Sequence, residues 1–197
     1  MLCSVLIASR HRPDGLHKNI QSLHATANPE NFDVWIRLDD DDAETISRLP
    51  EFERYGNVHH LIGPRLNNYF SIGKFCSEIA DLAAGEWVMI TDDDALMLGS
   101  GWDEQLKAVP KTGYVAHPEF YWLDTSEYGS GSCGPVAAFV PNGCWKQYGF
   151  PDIGEPPDHW LNSLLVIAKG WKVWLLKGIT HKHERGDEAA LAEHHKR

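Results

Sequence analysis

The chain has 197 residues, of which 43% are apolar and 23% charged, and 28 acidic against 18 basic residues give it a formal net charge of −10. This length fits one domain of ordinary size, and the composition excludes a collagen-like fibre, a coiled coil and a chain disordered throughout. The acidic balance disfavours a nucleic-acid partner, because binding to a phosphate backbone needs positive charge.

The first half of the sequence alternates between strand and helix patterns. Residues 3–8 form a short apolar run that predicts a buried strand, and Leu16, Ile20 and Leu23 then recur at helical spacing. The next patterns predict a strand, a helix, a strand, a helix and a strand at 32–38, 43–55, 58–62, 71–84 and 87–90. This order predicts an α/β fold with a mostly parallel sheet flanked by helices.

After residue 106 the pattern changes and predicts a smaller part with mixed or antiparallel strands. Its predicted elements are strands at 114–122, 136–140 and 171–176 and a helix at 160–168. A polar tail, 184–197, follows. No repeat or long linker divides the sequence, so we predict a single domain over 1–197, made of 1–106, 107–183 and the tail.

Membrane crossing and export are both disfavoured by the apolar pattern. The longest apolar runs, such as 136–140 and 164–168, are far shorter than the roughly 20 residues that a spanning helix needs. The first residues carry no basic charge ahead of their short apolar run. The dispersed Cys3, Cys76, Cys133 and Cys144 form no C-x-x-C pair. We therefore predict a cytoplasmic protein with free thiols and no transmembrane segment.

Two runs of acidic residues directly follow predicted strands. Asp92, Asp93 and Asp94 follow the strand at 87–90, and a second run, 39–42, follows the strand at 32–38. Ligands of such folds collect at the carboxyl ends of the strands. Adjacent carboxylates repel one another unless a cation offsets the repulsion, and Mg²⁺ or Mn²⁺ binds carboxylate oxygens together with substrate phosphates. The alternatives are a solvated acidic turn for the triplet and helix capping for 40–42.

The sequence contains neither the Gly-x-Gly-x-x-Gly nor the P-loop motif. Phosphate binding would therefore need the metal and basic side chains, for which the candidates are Arg10, Arg12, Arg65 and Lys74. The alternative for each of them is a solvated surface charge. Asp39, the first residue beyond its apolar strand, is placed to accept hydrogen bonds from a base or a ribose in the expected crevice.

Three features together resemble the GT-A fold glycosyltransferases, especially those of family 2. They are the strand ending Ala8-Ser9-Arg10, the acidic residue that closes the second strand, and Ala84-Gly85-Glu86-Trp87-Val88-Met89-Ile90 followed by the aspartate triplet. The resemblance covers residues 4–106 well and the second half more loosely. It implies a nucleotide-diphosphate sugar donor, a UDP-sugar, bound by 1–106, with acceptor binding and catalysis in 107–183.

The resemblance also implies roles for individual residues. The expected substrate-binding residues are Ala8, Ser9, Arg10, Arg12, Asp39, Arg65, Lys74, Asp92, Asp93 and Trp160. Ser9 and Asp39 would contact the nucleoside, and Asp92 the ribose and the metal. Asp94 is the expected direct ligand of Mn²⁺ or Mg²⁺, and late histidines often join such sites. His181 and His183 lie on one side of an extended segment, so either is a candidate, the alternative being an exposed polar tail.

Residues 148–161 are similar in order to the family's Gly-Gly-Phe-Asp-Glu segment and the acidic base after it, but not identical. On this resemblance Asp158 is the expected base, which takes the proton of the acceptor hydroxyl in a metal-dependent, inverting displacement. Asp152 and Glu155 are the reserve candidates. A helix cap at Asp158 and a retaining reaction are the alternatives. The acceptor is open between a glycan, a lipid-linked sugar, a protein and a modified base.

Two other functions compete with this prediction. A nucleotidyltransferase of the same fold would make the sugar nucleotide, but its expected glycine-rich loop is missing from residues 9–15. A non-catalytic module could hold a divalent cation in the acidic runs, although the D-x-D-x-D-G loop of an EF-hand is also missing.

Overall fold

A computed structural model describes residues 1–65, 72–123, 138–149, 161 and 163–183. Its strands are β1 (Cys3–Ser9), β2 (Phe32–Asp39), β3 (Val58–Gly63), β4 (Trp87–Ile90), β5 (Ala95–Leu98), β6 (Tyr114–Leu123), β7 (Phe139–Pro141) and β8 (Lys172–His183). Its α-helices are α1 (Pro13–Thr26), α2 (Ala43–Ser47), α3 (Leu49–Glu53), α4 (Ile72–Ala80), α5 (Trp102–Lys107) and α6 (Asn142–Tyr148). Within the described ranges the strands form one sheet in the order β3-β2-β1-β4-β7-β6-β8-β5.

The first half of the sheet is parallel, which confirms the prediction from the alternating pattern. β1 lies between β2 and β4, and β3 continues the parallel pairing at the outer side of β2. The pleat of β1 sends Val5 and Ile7 to the face that packs against α1, and Leu6 to the face that packs against Cys76 of α4. Helices on both faces therefore bury the central strand, as an α/β fold requires.

The second half contains the predicted mixture of strand directions. β7 pairs antiparallel with both β4 and β6, whereas β8 pairs parallel with β6 and antiparallel with β5. β8 is longer than the predicted 171–176, because its second half, Thr180 to His183, hydrogen-bonds to β5. This pairing brings the end of β8 back beside the aspartate triplet, which directly precedes β5.

Some predicted helix boundaries are wrong. The helix expected over 43–55 is interrupted at Arg48 and continues as α3. Pro50 lies in the first turn of α3, and a proline there cannot donate the hydrogen bond that would join the two helices. The helix expected to reach residue 84 ends at Ala80, and α6 was not predicted.

Two more predictions concern membrane crossing and thiols. None of the helices in the described part of the chain combines the length and the apolar character that crossing a bilayer needs. Cys3, Cys76 and Cys144 are buried thiols that form no disulfide, as expected, and burial raises the pKa of Cys144 to about 11. Cys133 lies outside the described residues.

Candidate active site

The sheet order brings both acidic runs to the same edge. Because β1 lies between β2 and β4, the loop that leaves β1 passes between the residues that follow the other two strands. That loop is Arg10-His11-Arg12, the second acidic run begins at Asp39 on the last residue of β2, and the triplet follows β4. The carboxyl ends of parallel strands are where such sheets bind ligands.

Arg10 and Arg12 pair with different acidic runs. Arg10 Nη1 donates to Asp39 Oδ2 at 2.6 Å and to Asp41 Oδ1 at 2.6 Å. Arg12 Nη1 donates to Asp94 Oδ2 at 2.9 Å and to Asp93 Oδ1 at 3.2 Å. The pKa of Arg10 is raised, chiefly by its hydrogen bond to Asp41. Each acidic run therefore has a guanidinium from the same short loop.

His11 separates the two arginines and adopts an uncommon backbone conformation. Its φ of 54° lies in the left-handed region, which costs a non-glycine residue about 1–2 kcal/mol. The His11 N–H donates to Asp42 Oδ2 at 2.8 Å, and Oδ1 of the same carboxylate caps α2 by accepting from the N–H of Thr45 at 3.1 Å. Burial opposes ionisation of Asp42, but these hydrogen bonds hold its pKa below the usual value. The buried carboxylate of Asp42 thus stabilises the turn of the Arg10-His11-Arg12 loop.

The three aspartates of the triplet differ in environment. Asp92 is exposed, whereas the side chains of Asp93 and Asp94 are each 8% exposed. Ser9 Oγ donates to Asp93 Oδ2 at 2.7 Å. The pKa of Asp93 is raised to about 6. Desolvation is the main cause, the charge of Arg12 opposes it, and the neighbouring Asp94 adds to it. Ser9 therefore contacts the triplet, and Asp93 carries a costly buried charge at neutral pH.

Helix α1 supports the backbone of the triplet. Asn19 Nδ2 donates to the Asp92 carbonyl oxygen at 2.8 Å. A Cβ on Gly15 would lie 3.2 Å from the Asp93 carbonyl oxygen and 3.7 Å from Asp94 Cα, so α1 approaches closely because residue 15 is a glycine. Sequence reasoning missed Gly15 and Asn19, although their spacing of four residues places both on one face of α1.

Asp39 lies beside a second, fully buried arginine. The Arg37 side chain is 1% exposed, and its Nη1 lies 3.5 Å from Asp39 Oδ1. Arg37 Nε donates to Glu78 Oε2 at 2.7 Å and Nη2 to the Pro64 carbonyl at 3.0 Å, and the guanidinium lies 4.5 Å from the centre of the Phe75 ring. Sequence reasoning missed Arg37, although alternation along β2 puts it on the same face as Asp39.

The remaining candidates are Arg65, Lys74 and Ala8. Arg65 Nη1 is 3.4 Å from Asp41 Oδ2, so Arg65 joins the pair of Arg10 and Asp41. The hydrogen bond from Arg10 is the main reason that the pKa of Asp41 falls to about 2. Lys74 is exposed on α4, and Ala8 is half-buried on β1.

β8 carries both late histidines toward the triplet. His183 is the register partner of Ala95, the residue after Asp94, and His181 is the partner of Met97. His181 is buried, and its Nε2 lies 2.9 Å from Thr91 Oγ1, directly before the triplet. The long pairing of β8 with β5 is thus the feature that brings the late histidines near the aspartates.

The chemistry of the triplet fits a divalent cation that shares its coordination with a substrate. Among the described residues, no group of three or more His, Cys, Asp or Glu side chains could hold a metal ion by themselves. Asp93 and Asp94 nevertheless offer neighbouring buried carboxylates, and Mg²⁺ is usually held by one or two carboxylates with substrate phosphates and water as its other ligands.

Four predicted site residues lie outside the described part of the chain. They are Asp152, Glu155, Asp158 and Trp160. The catalytic base and the substrate-binding role of Trp160 therefore stay predictions.

Comparisons with known proteins identify the fold. The sequence matches no protein-family model and no curated protein. S. aureus TarS matches with a TM-score of 0.70 and 14% identity, over 94% of this chain and 37% of that chain. The mannosyltransferase PcManGT from Pyrobaculum calidifontis, in complex with GDP-Man and Mn²⁺, gives 0.68 and 13%, over 95% and 59%. GalNAc-T7 with UDP, GalNAc and Mn²⁺ gives 0.68 and 10%, over 93% and 44%.

These likenesses concern architecture. The chain spans only 37% to 59% of the length of the three structures, and identities of 10–14% establish a shared fold. The chain therefore has the GT-A type of fold that its sequence predicted.

Proposed function

We propose that this chain is a glycosyltransferase that moves a sugar from a nucleoside-diphosphate donor, a UDP-sugar, to an acceptor hydroxyl. The observation that carries the proposal is the convergence of two carboxylate runs and Arg10-His11-Arg12 at the carboxyl ends of β1, β2 and β4. Structures of the same fold are complexes with UDP, UDP-GlcNAc and GDP-Man. Because these structures share the fold, a sugar nucleotide is the class of ligand that we propose for this chain.

The side chains around Asp39 suit a nucleoside and a diphosphate. Arg10 and Arg37 keep the Asp39 carboxylate fixed at the crevice, where it can accept hydrogen bonds from a base or a ribose. Arg10 and Arg65 meet at the exposed Asp41, and each guanidinium has further N–H donors for phosphate oxygens. Lys74, exposed on α4, is a further basic candidate for the diphosphate.

Asp94 and Asp92 are the residues proposed to hold Mn²⁺ or Mg²⁺, with His181 or His183 as a further ligand. A bound divalent ion would supply positive charge to the diphosphate that leaves the sugar. The burial of Asp94 supports its part in this assignment, because its repulsion with the equally buried Asp93 favours a cation beside it.

Asp158 is proposed as the base of an inverting displacement, with Asp152 and Glu155 as its alternatives. It would accept the proton of the acceptor hydroxyl while that oxygen bonds to the anomeric carbon and the bond from this carbon to the diphosphate breaks. Glycans, lipid-linked sugars, proteins and modified bases are the acceptors to screen.

A thermal-shift panel tests the donor site. UDP-GlcNAc, UDP-glucose, GDP-mannose, UDP and GDP are each added with Mn²⁺ or with EDTA, and a ligand at about 100 times its Kd should stabilise the protein by about 2.7 kcal/mol. We expect stabilisation that needs both a uridine nucleotide and the metal. Asp94→Asn should abolish it, whereas the matched Asp81→Asn, at an exposed carboxylate near the end of α4, should not.

The same panel contains the contradicting results. Stabilisation by Mn²⁺ with no added effect of any nucleotide would favour a non-catalytic cation-binding module. With a nucleoside triphosphate and a sugar phosphate added to the panel, stabilisation by these two but not by sugar nucleotides would favour a nucleotidyltransferase. If no nucleotide acts on the protein, the proposed donor site is wrong.

A further inference from the structure

Arg12 lies where a cation between the two buried aspartates would lie. Its Nη1 donates to Asp94 Oδ2 at 2.9 Å and to Asp93 Oδ1 at 3.2 Å. The Arg12 side chain is 22% exposed and the two carboxylates are each 8% exposed. The guanidinium is therefore more exposed to solvent than the two carboxylates that it contacts.

The protein backbone builds this position. Arg12 is the residue before α1, and the buried Pro13 that follows it fixes the start of the helix. The backbone of His11, directly before Arg12, has a left-handed conformation and donates a hydrogen bond to Asp42. On the other side, Ser9 holds the remaining oxygen of Asp93. The Arg12 backbone and the Asp93 carboxylate are therefore both held in place. This ion pair is more constrained than that of an ordinary surface arginine.

We propose that Arg12 is a built-in counter-ion of Asp93 and Asp94, and that a divalent cation binds Asp94 only in competition with its guanidinium. The inference rests on the proposed function, because it concerns the metal that the donor reaction would use. Two cations repel each other at hydrogen-bond distance. A divalent ion beside Asp94 therefore requires the guanidinium to leave that carboxylate.

The displaced guanidinium has a second use. Because Arg12 stays anchored ahead of α1, its side chain remains at the crevice and can donate to the diphosphate of a donor. Binding of the metal would then release Arg12 for the donor, and binding of the donor would favour the metal by the same factor. The guanidinium would thus couple the two binding events.

Mn²⁺ titrations without nucleotide, followed by calorimetry or by the electron paramagnetic resonance of free Mn²⁺, test the competition. The variants are Arg12→Gln, Arg12→Lys and the matched control Arg48→Gln. The control also removes one positive charge, but Arg48 pairs with Asp14 and Glu51 instead of the triplet. We expect Arg12→Gln to bind Mn²⁺ at least about tenfold more tightly than wild type, or about 1.4 kcal/mol.

Arg12→Lys should give an intermediate affinity, because a compact ammonium cannot reproduce the planar guanidinium contacts. Arg48→Gln should bind like wild type. The double variant Arg12→Gln/Asp94→Asn should lose the gain, which assigns the effect to the carboxylates. With Mn²⁺ present, UDP affinity should be lower in Arg12→Gln than in wild type.

The outcomes separate this inference from the proposed function. If wild type shows Mn²⁺-dependent UDP binding but Arg12→Gln binds Mn²⁺ no more tightly, the competition is refuted and the donor site stands. If only the Arg12 variants bind Mn²⁺ and wild type shows no Mn²⁺-dependent UDP binding, the competition is supported and a metal role in wild-type function is refuted. If no variant binds Mn²⁺, with or without UDP, both are refuted. Circular dichroism checks folding, and if Arg12→Gln unfolds, Arg12→Lys decides by the same criterion.

Discussion

The buried charge of Asp93 should make the stability of the metal-free protein depend on pH in an unusual direction. Most paired carboxylates stabilise the folded state once they ionise. Burial instead raises the pKa of Asp93 from 3.8 to about 6, even though Arg12 and Ser9 contact it. Asp93→Asn removes the titrating group, and an asparagine amide oxygen can still accept the Ser9 hydrogen bond.

The sign of this pH dependence follows from the proton affinities of Asp93 in the folded and unfolded states. The folded protein binds the Asp93 proton more tightly than the unfolded chain, so the stabilisation is complete below pH 3.8 and is lost as the pH rises through about 6. A shift of about two pKa units corresponds to about 3 kcal/mol in total, of which about 2 kcal/mol lies between about pH 4.5 and about pH 7.5. Wild type should lose this amount relative to Asp93→Asn.

Urea unfolding in EDTA at several pH values measures the effect. We expect the free energy of unfolding of Asp93→Asn, minus that of wild type, to increase by about 2 kcal/mol from about pH 4.5 to about pH 7.5. Asp81→Asn, at an exposed carboxylate, serves as the control and should show no such change. A difference that stays constant with pH, or that decreases, would refute the assignment of a desolvated charge to Asp93.

Other substitutions test separate parts of the site. Arg37→Met should lower the free energy of unfolding by about 2 kcal/mol in urea titrations, because it removes the charged hydrogen bond to the partly exposed Glu78 and the cation beside the buried Asp39; a loss under about 0.5 kcal/mol would contradict this. Gly15→Ala should weaken UDP binding in calorimetry by displacing the triplet, while the gain in helix propensity keeps stability within about 1 kcal/mol of wild type. Unchanged affinity would show that the triplet is free to adjust. Asp158→Asn should reduce transfer about 10²–10⁴-fold and preserve donor affinity, and near-normal turnover would eliminate it as the base.

The parts of the fold that local patterns specify could be predicted from the sequence. The apolar runs of β1, β2 and β4 and the helical spacing in α1 are short-range signals, and they placed the carboxyl ends of the strands correctly. Because those ends meet in a parallel sheet, the two acidic runs could be assigned to one edge before any contact was known.

The missed elements depend on partners that are distant in the sequence. β5 has only four residues, and it pairs with the second half of β8, 82 residues farther along the chain by the register of Leu98 with Thr180 (180 − 98). α6 begins at Asn142, whose side chain donates to the carbonyl oxygens of Ala83 and Gly85. Neither pairing has a local sequence signal.

Composition could not decide which residues of the acidic runs cap a helix and which pair with an arginine. Asp42 caps α2, as the capping alternative predicted, whereas Asp39 and Asp41 pair with Arg10. Arg12 was a candidate for phosphate binding with a surface charge as its alternative, and the structure pairs it with the triplet. Only the sheet order reveals which carboxylate each arginine meets.

Diffraction from crystals soaked with a UDP-sugar and Mn²⁺, recorded at a wavelength where manganese scatters anomalously, would locate the metal and the donor together. We expect an anomalous peak about 2.0–2.3 Å from an Asp94 carboxylate oxygen, with the donor diphosphate as a further ligand and the nucleoside beside Asp39. A donor bound elsewhere, or a bound donor with no manganese at the aspartate triplet, would contradict the proposed site.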